Sequence, residues 1–144
     1  MTTTIVTRTL NAPADRVFAA VAEPEGLPAV IPDVVRIEFL TEQRSGAGTR
    51  FAETRLMNGK EAVTKLEITE HEAPRRVRFV ADSHGTVWDT VFTVTPGDGG
   101  CELDLTMEAR GHRLLPKLLN PLFKGLIRRG LEKHMDAVKA YCER

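Results

Sequence analysis

The feature that most constrains this chain is a long succession of segments in which apolar and polar residues alternate. Such alternation puts every second side chain on one face, as in a β-strand with one face buried. Between residues 35 and 108 six such segments follow one another, and residues 2–10, rich in Thr, Ile and Val, add a seventh. Short turns separate most of them, and Asn58-Gly59 is a strong hairpin signal. Short turns join antiparallel neighbours, so the sequence predicts a seven-stranded antiparallel sheet.

Helical patterns flank these strands. Residues 14–21 repeat apolar side chains at intervals of three and four, and a second short helical turn fits between Pro24 and Pro32. From Leu114 the same period continues as far as Tyr141. It predicts a long helix over residues 116–141, bent or interrupted at Pro121.

The predicted sheet has one apolar face, which another element must cover. Only the long C-terminal helix is large enough. The predicted fold class is therefore α+β: a curved seven-stranded antiparallel sheet wrapped around a long C-terminal helix, with two short helices after the first strand. A twisted sheet seldom closes tightly on one helix at both ends. We expect a gap between them, the kind of space in which small apolar ligands bind.

The charge of the chain is balanced in sum and uneven in distribution. Its 144 residues carry 20 Lys+Arg and 20 Asp+Glu, which gives no reason to expect a nucleic-acid partner. Residues 110–144 nevertheless hold nine basic and three acidic residues. This basic segment is a candidate docking surface for a protein or, less readily, for a membrane surface. Part of its charge is expected to face acidic strand ends at Glu102, Asp104 and Glu108.

Length and residue usage predict one soluble domain over residues 1–144. The N-terminus lacks a signal-peptide pattern, and no apolar run reaches the roughly 18 residues of a membrane span. Cys101 and Cys142 have no disulfide framework and are predicted to be free thiols in a cytoplasmic protein. The histidines lack metal-ligand spacing, so we expect no metal and no cofactor. The sequence leaves open whether the protein is a monomer or a homodimer.

Several short residue groups follow one another in a characteristic order. They are Ala12-Pro13-Ala14 with Val17-Phe18, residues 25–32, the Gly46-x-Gly48 turn, residues 72–81 and residues 139–143. Their order and spacing, over essentially the whole chain, resemble the helix-grip superfamily. That group, often called SRPBCC, includes START domains, the birch-pollen-allergen type and the polyketide cyclase/dehydrase and lipid-transport family. The resemblance implies a deep hydrophobic cavity between sheet and helix, and no shared catalytic motif.

The same resemblance implies a range of functions. Members bind lipids, sterols, quinones, plant hormones or polyketides, and a minority catalyse cyclisation or dehydration. Fold therefore says little about the chemistry of this chain.

The candidate ligand-binding residues are those expected on the inner faces of the sheet and the long helix. From the sheet they are Phe39, Phe51, Phe79, Trp88, Thr90, Phe92 and Met107; from the helix they are Leu119, Phe123, Gly130 and His134. The small Gly130 would leave room for a ligand beside His134. These side chains could equally pack the core, and His134 could be a structural histidine at the helix edge.

If Phe51 faces inward, Glu53 and Arg55 on the same strand do too. A buried charge is costly unless it is paired, so these two side chains would form an ion pair or contact a polar group of a ligand. The alternative is that this end of the strand is solvated.

Three functions follow from these observations. The favoured one is binding of a small hydrophobic ligand: a lipid, a polyketide or an aromatic metabolite. The second is a polyketide cyclase, aromatase or dehydratase in which His134, Glu53 or Thr90 moves protons. The third is a protein-interaction module that uses the basic C-terminal helix.

Overall fold

Seven strands form one antiparallel sheet in the protein's computed structural model, which describes residues 2–83, 85–111 and 120–144. The strands are β1 (Thr2–Leu10), β2 (Val34–Phe39), β3 (Arg50–Met57), β4 (Lys60–Glu72), β5 (Arg76–Ser83), β6 (Thr86–Gly97) and β7 (Gly100–Gly111). Their spatial order is β1-β7-β6-β5-β4-β3-β2. Strands β2 to β7 thus form a meander, and β1 returns to pair with β7. The predicted fold class is confirmed.

Three α-helices accompany the sheet. They are α1 (Ala14–Ala22), α2 (Leu27–Val30), which follows a 3-10 turn at Pro24–Gly26, and α3 (Pro121–Cys142). Of the two predicted effects of Pro121, a bend or an interruption, α3 shows the second. Pro121 is its first residue, where the missing N–H is not needed, and Asn120 before it is extended. Asn120 caps this start, since its side-chain oxygen accepts a hydrogen bond of 2.9 Å from Leu122 N. The predicted helical residues 116–119 lie outside the described residues.

Two places in the sheet require particular small residues, one for its turn conformation and one for the close approach of two strands. Asn58 and Gly59 have φ angles of 54° and 77°, the left-handed pair that a tight hairpin turn between β3 and β4 requires. At the start of β7, a Cβ on Gly100 would overlap the backbone carbonyl oxygen of Leu10. Only glycine permits β1 to end so close to β7.

Helix α3 is fastened to the sheet on both of its sides. Arg8 of β1 donates from Nε to Asp136 Oδ1 at 2.7 Å. On the other side, Lys133 Nζ lies 2.8 Å from Asp33 Oδ2, between α2 and β2. The helix face between these contacts is the buried one. It contributes to the core the fully buried side chains Met135, Val138 and Cys142.

The charges of α3 do not pair as the sequence suggested. Among the described residues, no ion pair joins α3 to Glu102, Asp104 or Glu108. Asp104 instead accepts a 2.6 Å hydrogen bond from Thr7, and Glu108 lies 3.6 Å from Arg110 on its own strand. The predicted pairing was wrong because the acidic side chains of β7 point away from α3. The acidic residues of α3, Glu132 and Asp136, pair instead with Arg8 of β1.

Two further expectations concern the cysteines and the membrane. Cys101 and Cys142 are both free and both buried, as predicted, and burial raises the pKa of each thiol. Within the described part of the chain, no helix is long and apolar enough to span a membrane.

Candidate functional site

A row of phenylalanine rings crosses the face of the sheet that is turned toward α3, here called the inner face. Ring centroids are 6.4 Å apart for Phe39 and Phe51, 6.1 Å for Phe51 and Phe79, and 6.1 Å for Phe79 and Phe92. The row ends on the helix, where the His134 ring lies 5.8 Å from the Phe92 ring. Period-two spacing places these rings on one face because alternate residues of paired strands share a side. The row brings four of the predicted ligand-binding residues into contact with a fifth.

Trp88, Thr90 and Met107 lie on the same inner face, further along β6 and β7. Thr90 is directly opposite Phe79 of β5 and Met107 of β7. Trp88 lies between Ala81 and Ala109, two small side chains. All three residues are half-buried.

Not every apolar side chain between the inner face and α3 is fully buried. Several are only partly buried although they pack against the core: Phe39, Leu66, Met107, Leu131 and Tyr141. On α3, Gly130 is exposed, and no atom lies within 4 Å of the position that a Cβ would take. Gly130 precedes His134 by one helical turn and therefore shares its face. Open space lies in front of this part of the helix.

Exposed leucines flank the space near the start of α3. Leu122 and Leu126 are 81% and 62% exposed. Phe123, which follows Leu122 in the chain and is also a predicted ligand-binding residue, is half-buried. The remaining predicted residue, Leu119, lies outside the described residues.

His134 is the titratable group at the centre of this region. Burial, together with the positive charge of Arg55, lowers its pKa to about 3. The imidazole is therefore neutral near neutral pH, with one N–H donor and one bare nitrogen acceptor. Within residues 2–83, 85–111 and 120–144 no hydrogen bond to either ring nitrogen is formed. This geometry does not match a histidine held at the helix edge by a bond to the sheet.

Glu53 and Arg55 form an ion pair on the inner face. Arg55 Nε donates to Glu53 Oε1 at 3.0 Å, and the side chains are 28% and 14% exposed for Arg55 and Glu53. Both share the parity of the fully buried Phe51. Their cross-strand neighbours on β4 are Ala62 and Thr64. The charges are thus paired inside the molecule, the first of the two arrangements that the sequence allowed.

Some residues of this region were absent from the predicted set. Leu66 lies opposite Phe51 on β4, and Leu131 lies on α3 three residues before His134. Alternation along β4 and helical spacing along α3 were the available signals for them. The electrostatic effect of Arg55 on His134 had no sequence signal, because it joins β3 to α3.

Two surface clefts lie elsewhere. One of about 510 Å³ lies between the β6–β7 turn and the end of α3, with Asn11, Asp98 and Lys139 in its wall. The other, about 330 Å³, lies beside the start of β1 and includes Lys124 and Arg128. Neither is lined by the phenylalanine row or by His134. Across the described ranges, no three His, Cys, Asp or Glu side chains are placed to hold a metal ion.

The sequence profile of one family, polyketide cyclase / dehydrase and lipid transport, matches residues 1–143. The chain belongs to that family. No curated protein sequence matches it closely enough to show a relationship.

Solved structures of low sequence identity share the fold of this family member. A START superfamily protein from Mycobacterium smegmatis has a TM-score of 0.81 and 17% identity, covering 98% of this chain and 97% of the other. The Ara h 8.0201 structure has a TM-score of 0.80 and 17% identity, with coverage of 98% and 97%. The di-domain ARO/CYC BexL of the BE-7585A biosynthetic pathway has a TM-score of 0.81 and 18% identity; the match covers 97% of this chain and 46% of that one.

Proposed function

We propose that this protein binds a small hydrophobic ligand between the sheet and α3. The observation that carries the proposal is the row of inner-face phenylalanines that ends at His134, with open space at the Cβ position of Gly130 one helical turn before that histidine. Aromatic and aliphatic walls supply affinity by removing apolar ligand surface from water. His134 and Arg55 are the polar groups that orient the ligand, and Glu53 pairs with Arg55. Membership of a family whose description includes lipid transport supports this proposal.

The test fills the space without weakening the fold. Gly130→Leu places an apolar side chain in the open region and replaces a poor helix former by a good one. N-phenyl-1-naphthylamine, a neutral apolar probe, reports binding through its fluorescence. We expect the wild-type protein to bind the probe and Gly130→Leu to bind it at least about tenfold more weakly.

Gly125→Leu is the matched control. Gly125 also has open space around its Cβ position, but it lines the cleft beside β1. This variant is expected to bind the probe like the wild type. Equal binding by the wild type and Gly130→Leu would contradict the proposal, as would no binding by the wild type.

Catalysis is the second candidate function, and the ring nitrogens of His134, which have no hydrogen-bond partner among the described residues, favour it. The likeness in fold to the BexL di-domain protein, whose name includes ARO/CYC, points the same way. The pKa of His134 argues against a role as general base, because a base with a pKa of about 3 is poorly matched to neutral pH. Glu53 is held by Arg55. Thr90 lies between Phe79 and Met107 across the sheet, and the adjacent Asp89 is on the opposite face, where it accepts from Arg78. Mass spectrometry of a poly-β-ketone substrate incubated with the protein distinguishes turnover from binding alone.

A protein-interaction role is the third candidate function. Several basic side chains at the C-terminal end of the chain are already bound within the molecule, so fewer are available to a partner than the composition suggests. Lys133 is paired with Asp33, Arg110 with Asp89 and Glu108, and Arg128 donates to the Ile5 carbonyl. Charge reversal at Arg128 and Arg129 would abolish such an interaction. Retention of every captured partner by the doubly reversed variant would exclude it.

A further inference from the structure

The charged groups on the inner face cancel one another. In the described residues of β3, β5, β6 and β7, and in β4 before its register shift after Ile68, Glu53 and Arg55 are the only half-buried charged side chains with inner-face parity. Lys60, at the hairpin end of β4, shares that parity and is exposed. Glu53 and Arg55 contribute one negative and one positive charge, and they contact each other at 3.0 Å. The neighbouring His134 is neutral. The polar end of this space therefore has no net charge.

Two of these groups, Arg55 and His134, still offer hydrogen-bond donors, whereas the Glu53 carboxylate only accepts. Arg55 uses Nε for Glu53, and within the described chain neither of its Nη groups has a hydrogen-bond partner. Arg55 acts electrostatically on His134, so its guanidinium lies on the helix side of β3. The neutral imidazole adds an N–H or a bare nitrogen. A ligand oxygen that accepts hydrogen bonds has partners here.

Charge balance decides which ligand oxygen fits. A carboxylate placed here would bring a negative charge into a space walled by phenylalanines, where Arg55 is already neutralised by Glu53. Removing an ion from water is costly unless an unpaired opposite charge receives it. A carbonyl oxygen loses much less hydration and can accept from the same donors.

We propose that this site selects neutral apolar molecules carrying a carbonyl oxygen and discriminates against the corresponding acids. The proposal rests on the proposed function, since it assigns the ligand class of the same space. Glu53 is the specificity-determining residue. It acts by neutralising Arg55, and contact with the ligand is not required.

The test uses a pair of ligands with the same ring system and different charge. 2-Acetonaphthone is a neutral ketone, and 2-naphthoate is an anion at pH 7.5. Titration calorimetry of the wild type is expected to show at least about tenfold tighter binding of the ketone. In Glu53→Gln the shape is kept and the charge of Arg55 is released. The naphthoate affinity is then expected to rise at least about tenfold, while the ketone affinity changes little.

Glu67→Gln is the matched control, because Glu67 is exposed on β4 and has no inner-face parity. It should leave both affinities unchanged. Arg55→Met is a second variant, in which Glu53 is kept. It should bind the ketone more weakly than the wild type does, and it should bind naphthoate no more tightly than the wild type does.

The outcomes separate the two proposals. Equal affinities in the wild type, tighter binding of naphthoate, or an unchanged ratio in Glu53→Gln would overturn the inference and leave the proposed function standing. No binding of either ligand or of N-phenyl-1-naphthylamine would overturn both.

Discussion

The low pKa of His134 makes the stability of the folded protein depend on pH. Folding lowers this pKa from 6.5 to about 3. Between these values the unfolded chain holds a proton that the folded protein does not. By linkage, the contribution of His134 is fully present above pH 6.5 and is lost progressively as the pH falls toward 3. Acid therefore destabilises the folded state through this residue.

The magnitude follows from the two pKa values. Between pH 7 and pH 5, the folded His134 stays neutral while its unfolded counterpart becomes almost fully protonated. The linkage relation then gives a loss of about 2 kcal/mol in the free energy of unfolding. The expected loss is a substantial part of the 5–15 kcal/mol, roughly, by which a domain is stable.

Urea denaturation at pH 7 and pH 5 measures this loss in the wild type and in His134→Gln. We expect the wild type to lose about 2 kcal/mol more than the variant between the two pH values. Between pH 8 and pH 7 the two proteins should change alike, because His134 is neutral in both states. NMR titration of the His134 ring gives its pKa directly. A measured value near 6.5, or equal pH responses of the two proteins, would refute the reasoning.

Two other perturbations test the sheet itself. Asp89 is buried on the outer face of β6, where Arg78 donates to both carboxylate oxygens at 2.9 and 2.6 Å, a contact that lowers the pKa of the carboxyl. Asp89→Asn should lower the free energy of unfolding by about 1–3 kcal/mol, measured by urea denaturation at pH 7, because Arg78 loses the closer of its two charged partners and keeps only Glu70. Gly100→Ala should cost about 2 kcal/mol or more in the same assay, since the new methyl group overlaps the Leu10 carbonyl and forces β1 and β7 apart.

Each of these variants has a matched control. Glu67→Gln removes the charge of an exposed strand glutamate, and it should change stability by less than about 0.5 kcal/mol. Gly97→Ala adds a methyl group where no atom lies within 4 Å, and it should be tolerated. A control as damaging as its partner would show that the named contact is not the cause.

Local pattern in the sequence was enough to predict most of the sheet. Because each strand has one buried face, the alternation of apolar and polar residues shows which side chains point to that face. This pattern correctly predicted that Phe39, Phe51, Phe79 and Phe92 lie together. It also placed Glu53 beside Arg55, since residues two apart on a strand share a side.

The start of α3 was less well predicted. The apolar period of the sequence runs on before Pro121, and it outweighed the helix-start signals of Asn120 and Pro121. The capping residues indicate where α3 begins, whereas the apolar period continues across that point and suggests an earlier start.

The chemistry of the candidate site was decided by tertiary structure alone. His134 could be placed on the apolar face of a helix from the sequence, but its low pKa depends on burial among residues of other elements and on the charge of Arg55. These groups meet because the sheet curves and because contacts such as Lys133 with Asp33 hold α3 against it. Periodicity fixes which side of an element is apolar. How closely two such sides approach, and whether space remains between them, depends on packing across the whole fold.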